Sequence, residues 1–165
     1  MGHPPRDLRS VDLALVRWMA ARGPLLLRWS LGVVFLWFGA LKFLPDASPA
    51  EGLATRTIGV LSGGLVPASV SLPGLATLEC VIGLGLLAGR GLRGVLLLLW
   101  LQMAGTLTPL LLFPGECFTH VPWAPTLEGQ YIIKNLTLIS AAIVVGGTVR
   151  FGSRRKDQKS VTLML

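Results

Sequence analysis

Three ionisable side chains stand inside strongly apolar runs: Lys42 in "RWSLGVVFLWFGALKF", Glu79 in "LATLECVIGLGLLAGR" and Lys134 in "EGQYIIKNLTLISAAIVV". Another run carries Gln102, Thr106 and Thr108, and Asn135 follows Lys134. A charged, unpaired carboxylate among hydrocarbon is costly, so Glu79 must pair, take a proton or face water. With one carboxylate and two lysines, the sequence predicts that Glu79 pairs with Lys134. That bridge either does no more than fix helix register, or it leaves Lys42 spare. A spare Lys42 has three N–H donors for a small anion or a quinone carbonyl. Gln102, one turn before Thr106 on the same face, would then floor an outward-facing polar pocket.

A second concentration of reactive types is "PGECFTHVPWAPTLEGQYIIKN", Pro114 to Asn135. Cys117 is the candidate redox thiol, although the neighbouring Glu116 raises a thiol pKa rather than activating it. Cys80, inside an apolar run, reads as a small hydrophobe. The two cysteines allow one disulfide, but their separation matches no Cys-x-x-Cys redox motif. His120 with Trp123 caps a quinone site on one reading; on the other it is a loop histidine beside an interfacial tryptophan. Cys117 and His120 are only two ligands, so no metal is expected. No nucleotide loop, triad or zinc-helix motif occurs, which leaves catalytic residues unassigned and enzyme status open.

These residues must be positioned by membrane helices. Of the 165 residues, 52% are hydrophobic and only 14% charged, against the quarter usual in soluble domains, and the mean hydropathy is +0.67. Four runs are long enough for roughly 30 Å of hydrocarbon: about Pro24 to Leu44, Leu72 to Gly89, Gly94 to Phe113 and Gln130 to Val149. The net charge of +7 sits in short flanks rather than along a helical face, which argues against nucleic acid. Arg6, Arg9, Arg17 and Arg22 precede the first span, Arg90 and Arg93 separate the second and third, and Arg150 to Lys159 follow the fourth. The other two connections hold Asp46, Glu51, Glu116 and Glu128 against Arg56. Both termini are therefore expected in the cytoplasm, as in a bacterial inner-membrane protein.

Counted from the expected span ends, Glu79, Thr106 and Thr108 lie roughly 10 Å below the outer surface, with Lys134, Asn135 and Lys42 somewhat shallower. Asp7 to Ala21 reads as an interfacial helix on the inner leaflet. Pro45 to Ser71 reads as an outward loop with a short helix, and the basic tail from Phe151 as mobile. Gly89-Arg90-Gly91-Leu92-Arg93 is tight enough to make the second and third spans an antiparallel hairpin. Gly83, Gly85, Ala104 and Gly105 would let their backbones approach. Pro109 should kink the third span and free a carbonyl for Thr106 or Thr108.

The three quoted runs, with the tight second turn, resemble the DoxX-like family of small four-helix membrane proteins and its YkgB-like branch. The likeness covers about residues 28 to 150, and the family pattern maps onto Gly39, Lys42, Phe43, Glu79, Lys134 and Asn135. It implies a place beside membrane redox chemistry or oxidative stress, with redox partner subunits. The whole reading is an all-α integral membrane four-helix bundle. It comprises an amphipathic segment 1–23, a transmembrane domain 24–150 and a basic tail 151–165. Lipid surrounds it, self-association is compatible with it, no cofactor is expected to be tightly bound, and the expected ligand is a membrane quinone or a small anion. The candidate site is Lys42, Glu79, Gln102, Thr106, His120, Lys134 and Asn135. The alternative is a non-catalytic scaffold or assembly partner.

Overall fold

The computed structural model describes residues 6–44 and 51–162, with side chains described for 8–44 and 51–149. Asp46 and the rest of 45–50 lie outside the described residues, as do the side chains of Arg6 and of the tail from Arg150. The order is α1 Arg6–Leu41, α2 Glu51–Leu61, α3 Ala68–Ala88 and α4 Leu92–Leu107, followed by the single turns α5 Pro109–Leu112 and α6 Pro114–Cys117. An antiparallel hairpin of β1 Phe118–His120 and β2 Ala124–Pro125 leads into α7 Leu127–Thr162. Among the described residues, four stretches are long and apolar enough to cross a membrane: Leu8–Leu41, Ala68–Ala88, Leu92–Leu112 and Leu127–Val149.

The number of spans agrees with the sequence; several boundaries do not. α1 runs unbroken through Gly23 and Pro24, so no separate interfacial helix ends before the first span. At 1.5 Å per residue α1 is about 54 Å long, well beyond the roughly 30 Å of a bilayer core. α3 starts at Ala68, four residues before the expected Leu72, and Pro73 lies inside it. The helix of the first connection falls at Glu51–Leu61, and Gly63 and Gly64, both at positive φ, end it. The tail read as mobile continues α7 as helix through Thr162.

The α3–α4 hairpin forms as expected, with Gly89 and Gly91 both left-handed, at φ 67° and 61°. Pro109 separates α4 from α5, and the Thr108 hydroxyl donates to the freed Gly105 carbonyl at 2.6 Å. Thr106 instead donates to the Gln102 carbonyl at 2.9 Å.

Packing is closest between α1 and α3 rather than within the hairpin. A Cβ on Gly83 would lie 2.5 Å from the Leu36 amide nitrogen, and one on Gly32 would lie 3.1 Å from the Gly83 carbonyl. Gly39 faces Glu79 and Cys80. Of the residues expected to pack the hairpin, Gly85 does face Val95, but Gly105 has open space around it and Ala104 is exposed. The main core gathers Leu31, Phe35, Ile82, Leu86, Leu99 and Val145 from all four spans.

The glycine contacts also fix how far α1 reaches. Gly32 meets Gly83 and Leu87, and Gly39 meets Glu79 and Cys80, so the helices are antiparallel and α1 ends level with the middle of α3. Beyond that level α2 packs on α3 in its place. The Gly83 contact sets a test. Gly83→Ala must separate two backbones and should destabilise the protein by about 1–3 kcal/mol, whereas Gly105→Ala, in open space, should be neutral or slightly stabilising. Thermal unfolding in detergent reads both; equal melting temperatures would contradict the packing.

Candidate functional site

Glu79 is the middle of α3 and Gln102 the middle of the Leu92–Leu112 span. Because α1 stops at that level, its last turn delivers Lys42 to the same place. Lys42 Nζ donates to Glu79 Oε2 at 2.6 Å, and Gln102 Nε2 donates to Glu79 Oε1 at 3.0 Å. Both carboxylate oxygens are thereby occupied. The pair is well buried, with side-chain exposures of 13% for Lys42 and 9% for Glu79. Burial at this depth makes the ion pair obligatory, since either charge alone would lack solvation.

The expected Glu79–Lys134 bridge is therefore replaced by Glu79–Lys42. Lys134 is exposed on the first turns of α7, with its ammonium 5.3 Å from the Tyr131 ring centroid in a cation–π contact. The polar cluster also lies at mid-span rather than in the outer third. Lys42 carries a further duty: it donates to the Phe38 carbonyl at 3.3 Å, while the amides of Lys42, Phe43 and Leu44 bond to Gly39, Ala40 and Leu41. The last carbonyls of α1 are thus satisfied locally, as a helix ending inside a bundle requires. A cation there also complements the negative end of the helix dipole.

One polar atom of the cluster is left over. Gln102 Oε1 is buried and has no hydrogen-bond partner among the described residues. Its amide orientation follows from the carboxylate, which accepts only from Nε2. The unfilled position therefore calls for a donor, such as a hydroxyl or a water. No sequence pattern marks Gln102 as the second partner of Glu79; its place on the buried face of α4 was the available signal.

Among the described residues, no hydrogen bond joins the other sequence candidates to the side chains of Lys42, Glu79 or Gln102. Thr106 is occupied by its own helix backbone, and Asn135 is half-buried on α7. His120 and Trp123 are exposed on the hairpin, Trp123 at 88%. Two cavities among the described residues are not lined by Lys42, Glu79 or Gln102. One, about 390 Å³, is an apolar groove along Val33, Leu36, Trp37, Ala40, Leu41 and Leu44; the other, about 270 Å³, surrounds Arg22 between Trp18 and Trp29.

Cys117 is fully buried rather than displayed in a loop, packed with Leu53 and Ile132. Burial pushes its thiol pKa up, and Glu116 and Glu128 push it further the same way. Around it the Thr126 hydroxyl donates to the Glu116 carbonyl at 2.6 Å and accepts from the Gly129 amide at 3.2 Å, capping α7. An ion pair joins Arg56 of α2 to Glu116, and the Arg56 guanidinium lies 5.8 Å from the Phe113 ring centroid. Cys80 and Cys117 are both free thiols; the Cys80 Sγ lies 3.9 Å from the Leu36 carbonyl. Among the described residues no group of three or more His, Cys, Asp or Glu side chains forms a metal site.

Comparisons with protein-family models, curated proteins and solved structures give no match. The DoxX-like resemblance accordingly rests on the quoted stretches alone.

Two outcomes follow from this geometry. Lys134→Met loses only an exposed cation–π contact and should cost no more than about 1 kcal/mol in thermal or denaturant unfolding; a loss several times larger would restore a bridge to Lys134. In a Cys80→Ala background, Cys117 should resist maleimide at neutral pH and label fully once the protein is unfolded in detergent. Labelling of the folded protein at the rate of an exposed thiol would contradict both its burial and its raised pKa.

Proposed function

We propose that this chain is a non-catalytic membrane subunit, a scaffold or assembly partner within a redox- or oxidative-stress-associated complex. The observation that carries the choice is the engagement of Lys42 by Glu79 and by the Phe38 carbonyl. A ligand seeking the ammonium would have to displace a buried carboxylate. The cluster's chemistry is thus suited to holding α1, α3 and α4 in register, and the DoxX-like resemblance supplies the redox setting.

The second reading is a small polar site for a quinone or anion, and one observation favours it: the orphaned Gln102 Oε1. That atom suits a hydroxyl-bearing ligand such as a reduced quinol better than an anion, which offers only acceptors. In both readings the protein is a multi-pass inner-membrane protein with both termini cytoplasmic, supported by the basic residues that flank the α3–α4 turn and both termini.

Purifying the native complex from its membrane separates the two. The scaffold reading predicts stoichiometric partner subunits and no retained quinone. Retained quinone that is lost in Gln102→Leu, with assembly intact, would overturn it in favour of the ligand site. Topology is tested separately by reporter fusions at Leu165 and at Gly115, which should report cytoplasm and exterior respectively; the reverse pattern would overturn the orientation.

A further inference from the structure

The end of the bundle away from the hairpin holds an arrangement that the Lys42–Glu79 cluster does not use. Arg28 of α1 lies against the α3–α4 turn. A Cβ on Gly89 would sit 3.0 Å from its guanidinium carbon and 3.1 Å from one of its terminal nitrogens, so the guanidinium lies directly against the backbone of the turn. Arg90 follows directly, its Cα about 3.8 Å from that of Gly89, and Arg93 occupies the first turn of α4. None of the three is in an ion pair with a described Asp or Glu. Arg28 Nε is buried without a hydrogen-bond partner among the described residues.

Arginines close together in the chain without a carboxylate are a place for an anion, and their planar forks match phosphate oxygens. The C-terminus of α3 and the N-terminus of α4 meet at this turn with opposed helix dipoles, so the arginines themselves are the anion-directed groups. The location selects the anion's source. Arg28 lies level with the last residues of α3, where an apolar span gives way to a basic turn, and Trp29 and Leu84 nearby expose apolar surface at 45% and 55%. A headgroup phosphate can meet the arginines while its acyl chains follow the spans.

We propose that Arg28, lying against Gly89, forms with Arg90 and Arg93 of the same turn a crevice that binds the phosphate of an anionic phospholipid. This goes beyond topology: general attraction of basic flanks to a charged leaflet would be shared by every exposed arginine, whereas a crevice depends on Arg28. It is also independent of the scaffold reading, which concerns the middle of the bundle.

Native mass spectrometry of the full chain, mixed with phosphatidylglycerol or phosphatidylcholine, tests the proposal. Wild type should retain phosphatidylglycerol in preference to phosphatidylcholine, Arg28→Gln should weaken that retention about tenfold, the effect of losing one charge-assisted contact, and Arg28→Lys should fall between. Arg17→Gln, on the exposed N-terminal part of α1, should match wild type. Arg90→Gln provides a second reduction from an exposed turn position, should Arg28→Gln fail to fold. Millimolar inorganic phosphate should leave retention unchanged. Equal retention of the two lipids by wild type, equal loss in Arg17→Gln and the crevice variants, or displacement by inorganic phosphate would each overturn the proposal.

Discussion

A lysine and a glutamate that meet in the middle of an apolar bundle set the terms for the rest of this structure. Neither charge is tolerable alone at that depth, and together they require the end of α1 to lie beside the midpoint of α3. That placement needs close backbone approach, which Gly32, Gly39 and Gly83 provide. Gly39 joins the two requirements, since a Cβ there would lie 2.8 Å from the Cβ of Glu79 itself. Packing and electrostatics are thus coupled at a single position: widening the α1–α3 gap would also separate the charges.

Stopping α1 halfway has a second consequence. The N-terminal half of α3 would lie bare where α1 is missing, and α2 packs on α3 instead. α2 is then tied across that end of the bundle by Arg56 to Glu116 and Phe113, and by Leu53 to the small apolar cluster around Cys117 and Ile132. The exposed ion pair contributes little by itself. Burial of Leu53, Cys117 and Ile132 supplies the adhesion, and the same burial shields the Cys117 thiol. The stretch Pro114–Asn135 is in this sense mostly a lid: a turn, a short hairpin and a capped helix start, with Cys117 facing inward.

Much of the fold was legible because hydrophobic length reports spans directly, and because Gly89, Gly91 and Pro109 act through backbone geometry that does not depend on neighbours. The importance of Lys42 and Glu79 was legible too, since ionisable groups in apolar runs need partners. Their pairing was not. Depth counted from span ends assumed four helices of equal reach, which put Lys42 at the outer edge and Glu79 closer to Lys134. The start of α3 was hidden because Pro67 to Ser71 read locally as the end of the loop Pro45 to Ser71, although the helix begins at Ala68. α1 passes through Pro24 although a proline there reads as a start signal; its fixed φ is helical, and it lacks one amide donor. Which glycine meets which helix, and which glutamine meets Glu79, are tertiary facts with no periodic signature.

The central claim is that Lys42 and Glu79 form one buried pair, with Gln102 as its neutral partner. A double-mutant cycle in detergent or bicelles tests it most directly, using Lys42→Met, Glu79→Gln and the two combined. Glu79→Gln keeps an acceptor for Gln102 while removing the charge. Each single change strands one charge or polar group and should cost about 3 kcal/mol or more, while the double variant should recover most of that loss, giving a coupling on the order of 2–3 kcal/mol. Additivity within about 0.5 kcal/mol would mean that the two side chains do not act as a pair, and would contradict the account.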